Sequence, residues 1–272
     1  MIYPELWPLL LPPPALLIQQ MITGPGKLVI FFLVLTMQHQ KIPILLLHGA
    51  LGAASQFDAL TSTLEQHYDV HTLEFSGHGQ QPFSAEGFSV PVFAGEVLRY
   101  LEERNIDFIH IFGYSMGGYV ALYLCRHHPE KIGHVMTLAT KFNWNEATAT
   151  REVKQLNPET IEEKVPAFAR VLEARHAASD WKEVVNMTAL LIAELGHTNL
   201  LKAGDLGQIA SPCLVMMGDK DGMVSFQETI EAYKSLPLAQ LAILPDTVHP
   251  LEKADVPLLA YHIKRFTTQQ FD

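Results

Sequence analysis

Cysteine is nearly absent: Cys125 and Cys213 are the only two in a chain of 272 residues, and both stand among apolar neighbours. Thiols so far apart in sequence suit neither a disulfide framework nor a cysteine metal site, so buried free thiols in a reducing compartment are expected. Basic residues are also few. Against 29 Asp and Glu there are 19 Lys and Arg, a formal net charge of −10, and no local Lys/Arg cluster offsets it. Binding to nucleic acid, which draws on counterion release from phosphates, is not expected. Charged residues make up 18% of the chain and apolar ones 48%, the balance of a chain that folds and not of a disordered one.

A long uninterrupted apolar run is missing too. Residues 1–36 are rich in Leu, Ile and Pro, but Pro12-Pro13-Pro14 and Gly24-Pro25-Gly26 interrupt them, and the run Leu28 to Leu35 is short. A membrane-crossing helix needs about 20 apolar residues, so membrane association is not expected. Read from Met21, Lys27 and the apolar residues after it have the outline of a signal peptide, yet no small-residue cleavage site follows. A cytoplasmic protein is the expectation, with secretion left open. Residues 1–36 then read as an apolar extension, as an edge strand, or as sequence upstream of a working start at Met37.

From Ile42 onward, short apolar runs alternate with longer amphipathic ones. Residues 42–47, 70–75, 109–112, 135–139, 214–217 and 241–244 have strand length and β-branched or large apolar content. Residues 92–103, 116–127, 227–235 and 257–266 carry helical patterns between them. This alternation predicts an α/β fold with a mainly parallel central sheet and helices on both faces. Residues 141–210 break the rhythm with helical patterns alone, notably 161–175 and 181–195. That is too long for a connection and predicts an inserted helical cap between two core segments, 37–140 and 211–272.

The sharpest chemical signal is Gly113-Tyr114-Ser115-Met116-Gly117-Gly118, set between strand 109–112 and helix 116–127. A serine on a tight strand-to-helix turn needs small neighbours, and Gly113 and Gly117 give that room. Its side chain also meets a helix N-terminus, where free N–H groups favour developing negative charge.

With that motif in place, the chain from Ile42 to Phe266 resembles the α/β-hydrolase superfamily, and further motifs match in order. His48-Gly49-Ala50-Leu51-Gly52 follows the first buried strand. The resemblance implies an oxyanion hole from the backbone N–H groups of Ala50 and Met116, with Leu51 as a fallback for the first. Glu74-Phe75-Ser76-Gly77-His78-Gly79-Gln80 is similar to a structural loop of the family, with Glu74 where Asp is usual; His78 between two glycines is expected to shape the loop and not to catalyse. Gly218-Asp219-Lys220-Asp221-Gly222-Met223-Val224 supplies the acid at Asp221, with Asp219 non-catalytic. Asp246-Thr247-Val248-His249-Pro250 supplies the histidine.

The chain order Ser115, Asp221, His249 is the order of this fold. It implies a serine hydrolase that works through an acyl-enzyme on a small ester or thioester, without cofactor or metal. A lyase-type member or a receptor-like ligand binder on the same body remains as the alternative. Phe142 and Trp144, at the entry to the insertion, are expected either to line the substrate pocket or to form the core of the cap, and Leu51 and Tyr114 complete the expected substrate contacts. Of the remaining histidines, His127 and His128 end a helix without partners at metal-ligand spacing, and His134, His176 and His197 read as surface or core residues.

Overall fold

The computed structural model describes residues 19–24, 27–32 and 41–269. The chain divides into two compact units, 1–41 and 42–272. In the first, β1 (Gln19–Gly24) pairs antiparallel with β2 (Lys27–Phe32) in a sheet of its own. The other residues upstream of Lys41, Met37 among them, lie outside the described residues.

The second unit is built on six parallel strands: β3 (Ile42–Leu47), β4 (Tyr68–Leu73), β5 (Ile109–Tyr114), β6 (Ile132–Leu138), β7 (Cys213–Gly218) and β8 (Ala239–Leu244). Their order across the sheet is β4-β3-β5-β6-β7-β8. Side chains alternate between faces, so within β3 Leu45 and Leu47 join one core cluster while Ile44 and Leu46 join the other. Helices α1 (Asp58–Leu64) and α10 (Val256–Thr267) cover the face of Ile44 and Leu46. Helices α2 (Val90–Glu103) and α3 (Met116–His127) cover the opposite one. Each fully buried Leu contributes roughly 1.5–3 kcal/mol, and with both faces covered the central strands are buried throughout, as in β5 and β7.

Most strands lie where their apolar runs predict. β4 ends two residues early, at Leu73 instead of Phe75, because Glu74 and Phe75 already belong to the next loop. The Phe75 N–H donates to His48 Nε2 at 3.2 Å instead of to a neighbouring strand, and the Glu74 carboxylate receives the Gln80 N–H at 2.9 Å.

Residues 141–210 hold α4 (Glu146–Val153), α5 (Pro158–Lys164), α6 (Pro166–Arg175), α7 (Trp181–His197) and the single turn α8 (Ala203–Leu206), with no strand. The helix expected over 161–175 is two helices. Pro166 has no N–H to continue α5 and pushes Val165 out of helical conformation, to φ −134° and ψ 57°, so Val165 ends one helix and precedes the other. Leu172, Val184, Leu191 and Leu195 pack into the same core cluster as α2 and α3. The hydroxyl of Tyr119 on α3 donates to Asn199 Oδ1 at 2.7 Å and accepts the Leu200 and Leu201 N–H groups at 3.0 Å, while Asn199 Nδ2 donates to the Phe142 carbonyl at 2.9 Å. Both ends of the insertion are thereby tied to one point on α3. Between β7 and β8, α9 (Phe226–Ser235) begins at a capping box formed by Ser225 and Glu228.

Candidate functional site

Ser115 stands between β5 and α3 with φ 51° and ψ −115°. A non-glycine residue held there costs on the order of 1–3 kcal/mol, so the surrounding packing has to impose it. Gly117 is part of that packing: a Cβ on it would fall on the Leu47 carbonyl oxygen at the end of β3. The contact brings the first turn of α3 against the turn that follows β3, in which the Gly52 N–H donates to the Gly49 carbonyl at 3.0 Å. Ala50 and Met116, the expected oxyanion donors, come from these two segments. Both line the cavity that also holds Ser115 and His249. Met116 is the first residue of α3, and the first N–H groups of a helix have no intrahelical partner.

Two loops meet beside the serine. His249 Nδ1 lies 2.8 Å from Asp221 Oδ2 and 3.0 Å from Oδ1. The Asp221 carboxylate is wholly buried, and Oδ1 also accepts the Met223 and Val224 N–H groups at 2.8 and 2.9 Å. Burial by itself raises the carboxyl pKa, but the contact with His249 and those two N–H groups outweigh it and hold Asp221 below the ordinary carboxylate range. Asp219, two residues earlier, is exposed and accepts the Thr247 N–H at 3.1 Å, bracing the histidine loop from outside. Tyr114 braces the same loop from within, its hydroxyl donating to the His249 carbonyl at 2.9 Å.

A cavity of about 90 Å³ and a chamber of about 620 Å³ share Ala50, Ser115 and His249 in their walls. Trp144 lines the smaller one together with Tyr119 and Leu191; Leu51 and Tyr114 line the larger one. Phe142 lines neither. It is buried in the core cluster and borders a separate pocket beside Asn199 and Leu206.

Several residues in or around these cavities carry no signal in the sequence. Lys141 lines the smaller cavity, with Nζ 3.7 Å from Glu152 and 3.6 Å from Glu228, and donates to the Met223 carbonyl at 2.6 Å. It therefore ties the insertion to the loop of Asp221. Arg175 lines the larger chamber, and His176 beside it is fully buried, on the core side of the sequence expectation. His48 and His78 are also fully buried, their rings 4.9 Å apart. His78 stacks on Phe88 and its Nδ1 meets the Ser76 carbonyl at 3.1 Å, a place inside its loop and away from the serine cavity. Burial pushes the His48 and His176 imidazoles down to about 4 and His78 well below its ordinary value. Among the described residues no group of three or more His, Cys, Asp and Glu is arranged to hold a metal ion.

Residues 42–199 match a family model described as the alpha/beta hydrolase fold. Over 216 residues the chain is 29% identical to a pimeloyl-[acyl-carrier protein] methyl ester esterase of Neisseria meningitidis serogroup C, covering 79% of this chain and 72% of that protein. It is 24% identical over 245 residues to a Serratia proteamaculans protein named as a carbamate hydrolase, covering 83% of this chain and 91% of the relative. Among solved structures, a thermophilic esterase from Thermogutta terrifontis superposes with a TM-score of 0.68 at 21% identity, over 84% of this chain and 90% of that one. At that identity the superposition speaks for the fold alone.

Proposed function

Since the chain belongs to the α/β-hydrolase family, we propose that it is a serine hydrolase in which Ser115 is the nucleophile, His249 its base and Asp221 the group that orients the base. The observation that carries this reading is the pairing of His249 Nδ1 with a buried, charged Asp221, while His249 itself lines the same cavity as Ser115. With Nδ1 occupied by the carboxylate, Nε2 is the nitrogen left to take the Ser115 proton as the oxygen attacks a carbonyl carbon. The N–H groups of Ala50 and Met116 receive the negative charge of the tetrahedral intermediate; it collapses with cleavage of the ester C–O bond, His249 gives its proton to the departing alkoxide, and water deprotonated by the same imidazole then releases the acyl group from the serine as a carboxylic acid. Each such donor is worth about 2.7–4 kcal/mol to the transition state.

The substrate class we assign is a carboxylic ester, in keeping with the ester and carbamate chemistry in the names of its relatives. A small apolar group of the ester fits the cavity bordered by Tyr119, Trp144 and Leu191, with the larger part in the wider chamber. Residues 141–210 act as a cap over this site, since α4 and α7 supply walls to both spaces. The two unpaired, buried cysteines suit a reducing compartment.

A fluorophosphonate tests the reading directly. The expected result is a covalent adduct on the peptide that contains Ser115, lost in Ser115→Ala, together with turnover of short p-nitrophenyl esters. Turnover without a Ser115 adduct, or ligand binding with no turnover, would move the protein to the lyase-type or receptor-like alternative.

A further inference from the structure

The turn that carries Ala50 is held from a distance of more than a hundred residues along the chain. Leu51 sits at φ 56°, the left-handed region that a branched side chain seldom occupies. Its carbonyl accepts two hydrogen bonds from the end of α6, from Arg175 Nη1 at 2.9 Å and from His176 Nε2 at 3.2 Å. The tautomer of His176 is settled by its other nitrogen: Nδ1 accepts the Gly79 N–H at 3.0 Å, so Nε2 carries the proton and donates. Arg175 is fixed in turn by Glu252, 2.7 Å from Nη2 and three residues past His249, and Gln56 Nε2 donates to the same Glu252 oxygen at 2.8 Å.

These contacts bear on the direction of the Ala50 N–H through two rigid peptide planes. The Leu51 carbonyl and the Gly52 N–H share one plane, so anchoring the carbonyl aims that N–H, which donates to the Gly49 carbonyl. The Gly49 carbonyl, reached through that hydrogen bond, shares a second plane with the Ala50 N–H and points opposite to it. His48 Nδ1 donates to that same Gly49 carbonyl at 2.8 Å, with Nε2 occupied by the Phe75 N–H. Anchoring at Leu51 is thus passed, plane by plane, to the donor proposed for the oxyanion.

We propose that Arg175 and His176 are positioning residues for this turn, which add to the anchor at His48 so that the Ala50 donor is best aligned while the end of α6 is docked on the Leu51 carbonyl. This rests on the serine-hydrolase reading for its catalytic consequence, though the mechanical link from α6 to the turn does not. The insertion then does more than wall the substrate: it completes the site that stabilises the transition state. A substrate that holds α6 in place assembles its own oxyanion donor.

The test compares Arg175→Met and Arg175→Lys, and His176→Phe and His176→Gln, in the full chain. Loss of a positioning contact should lower kcat on p-nitrophenyl butyrate by about ten-fold or more with KM within about two-fold, because the donor matters more in the transition state than in the ground state. A trifluoromethyl ketone, which forms a tetrahedral adduct on the serine, should lose affinity by a similar factor. The Lys and Gln variants, which keep a donor, should recover most of the loss. Amide hydrogen exchange at Gly52 supplies a readout that needs no activity, and it should quicken in Arg175→Met. If His176→Phe fails to fold, the partly exposed Arg175 decides the matter. Unchanged kcat and unchanged Gly52 exchange in Arg175→Met overturn the proposal. So does a loss shared by the Lys variant that leaves ketone affinity untouched. Quickened exchange in a protein that hydrolyses no ester and takes no fluorophosphonate would keep the link and sink the hydrolase reading instead.

Discussion

Lowering the pH from about 7 to about 5 should destabilise this protein before its carboxylates begin to titrate, on the reference pKa values of those groups. His48, His110 and His176 are buried, with 0%, 4% and 0% of their surface exposed. Burial is the largest cause that pushes each from 6.5 to about 4 in the folded state. Between those two values the unfolded chain binds more protons than the folded one. Stability therefore rises with pH across that window and is lost as the pH falls through it. Applying the linkage relation from about pH 7 to about pH 5 gives roughly 1.8 kcal/mol per histidine and ~5 kcal/mol for the three.

His78 shifts in the same direction and adds to the loss. Asp219, Asp221 and Glu252 are all held below their ordinary values, so their contribution persists through this window and is lost only at lower pH. Set against a total stability of roughly 5–15 kcal/mol, the histidine term is a large fraction. Urea unfolding at a series of pH values reads it as a falling midpoint. His110 gives the control, because it lies on β5 away from the serine cavity and its Nδ1 only accepts the His134 N–H at 2.9 Å. His110→Gln should reduce the acid-induced loss by its own share, roughly 1.8 kcal/mol, whatever it does at neutral pH. A midpoint that stays level from about pH 7 to about pH 5, or a His110→Gln protein with the wild-type slope, would refute the reasoning.

Further outcomes concern the site and its surroundings. Ser115→Ala, Asp221→Ala and His249→Ala should each lower kcat by about 10³-fold or more, with double variants little worse than the worst single one. Asp219→Ala should keep most activity, since its carboxylate only braces the Thr247 N–H; steady-state kinetics showing the reverse would move the acid by two residues. Trp144→Ala should change the preferred acyl length in an ester panel. Phe142→Ala should leave that preference alone and lower stability by about 3–5 kcal/mol, read by thermal melts.

Much of the sheet could be read from the sequence because its strands are continuous apolar runs of strand length, and buried parallel strands have few other ways to satisfy both faces. The end of β4 moved because a side chain took over from a strand partner, His48 receiving the Phe75 N–H. Pro166 was visible as a helix breaker, yet the apolar period on either side of it reads as one helix. Ser115, Asp221 and His249, the proposed triad, could be singled out in the sequence because each follows a strand and carries its own short motif. Arg175, His176, Lys141 and Glu152 had no such mark, since their partners lie far away in sequence and only tertiary contact makes them significant. Phe142 and Trp144 looked alike as aromatics two residues apart, but only Trp144 reaches the serine cavity.

The knot around the Tyr119 hydroxyl has a consequence for how such a protein diversifies. Residues 142 and 199–201 converge there, through Asn199, on the same helix that begins directly after Ser115. A stretch of chain whose two ends are pinned side by side adds little closure entropy when it lengthens, since each doubling costs only about 0.6 kcal/mol. The helices between the pins can be lengthened, shortened or exchanged as a cassette while strands β6 and β7 keep their register. If residues 141–210 cap the site as proposed, Tyr119 and Asn199 together form a socket, and selectivity is rewritten by what is plugged into it.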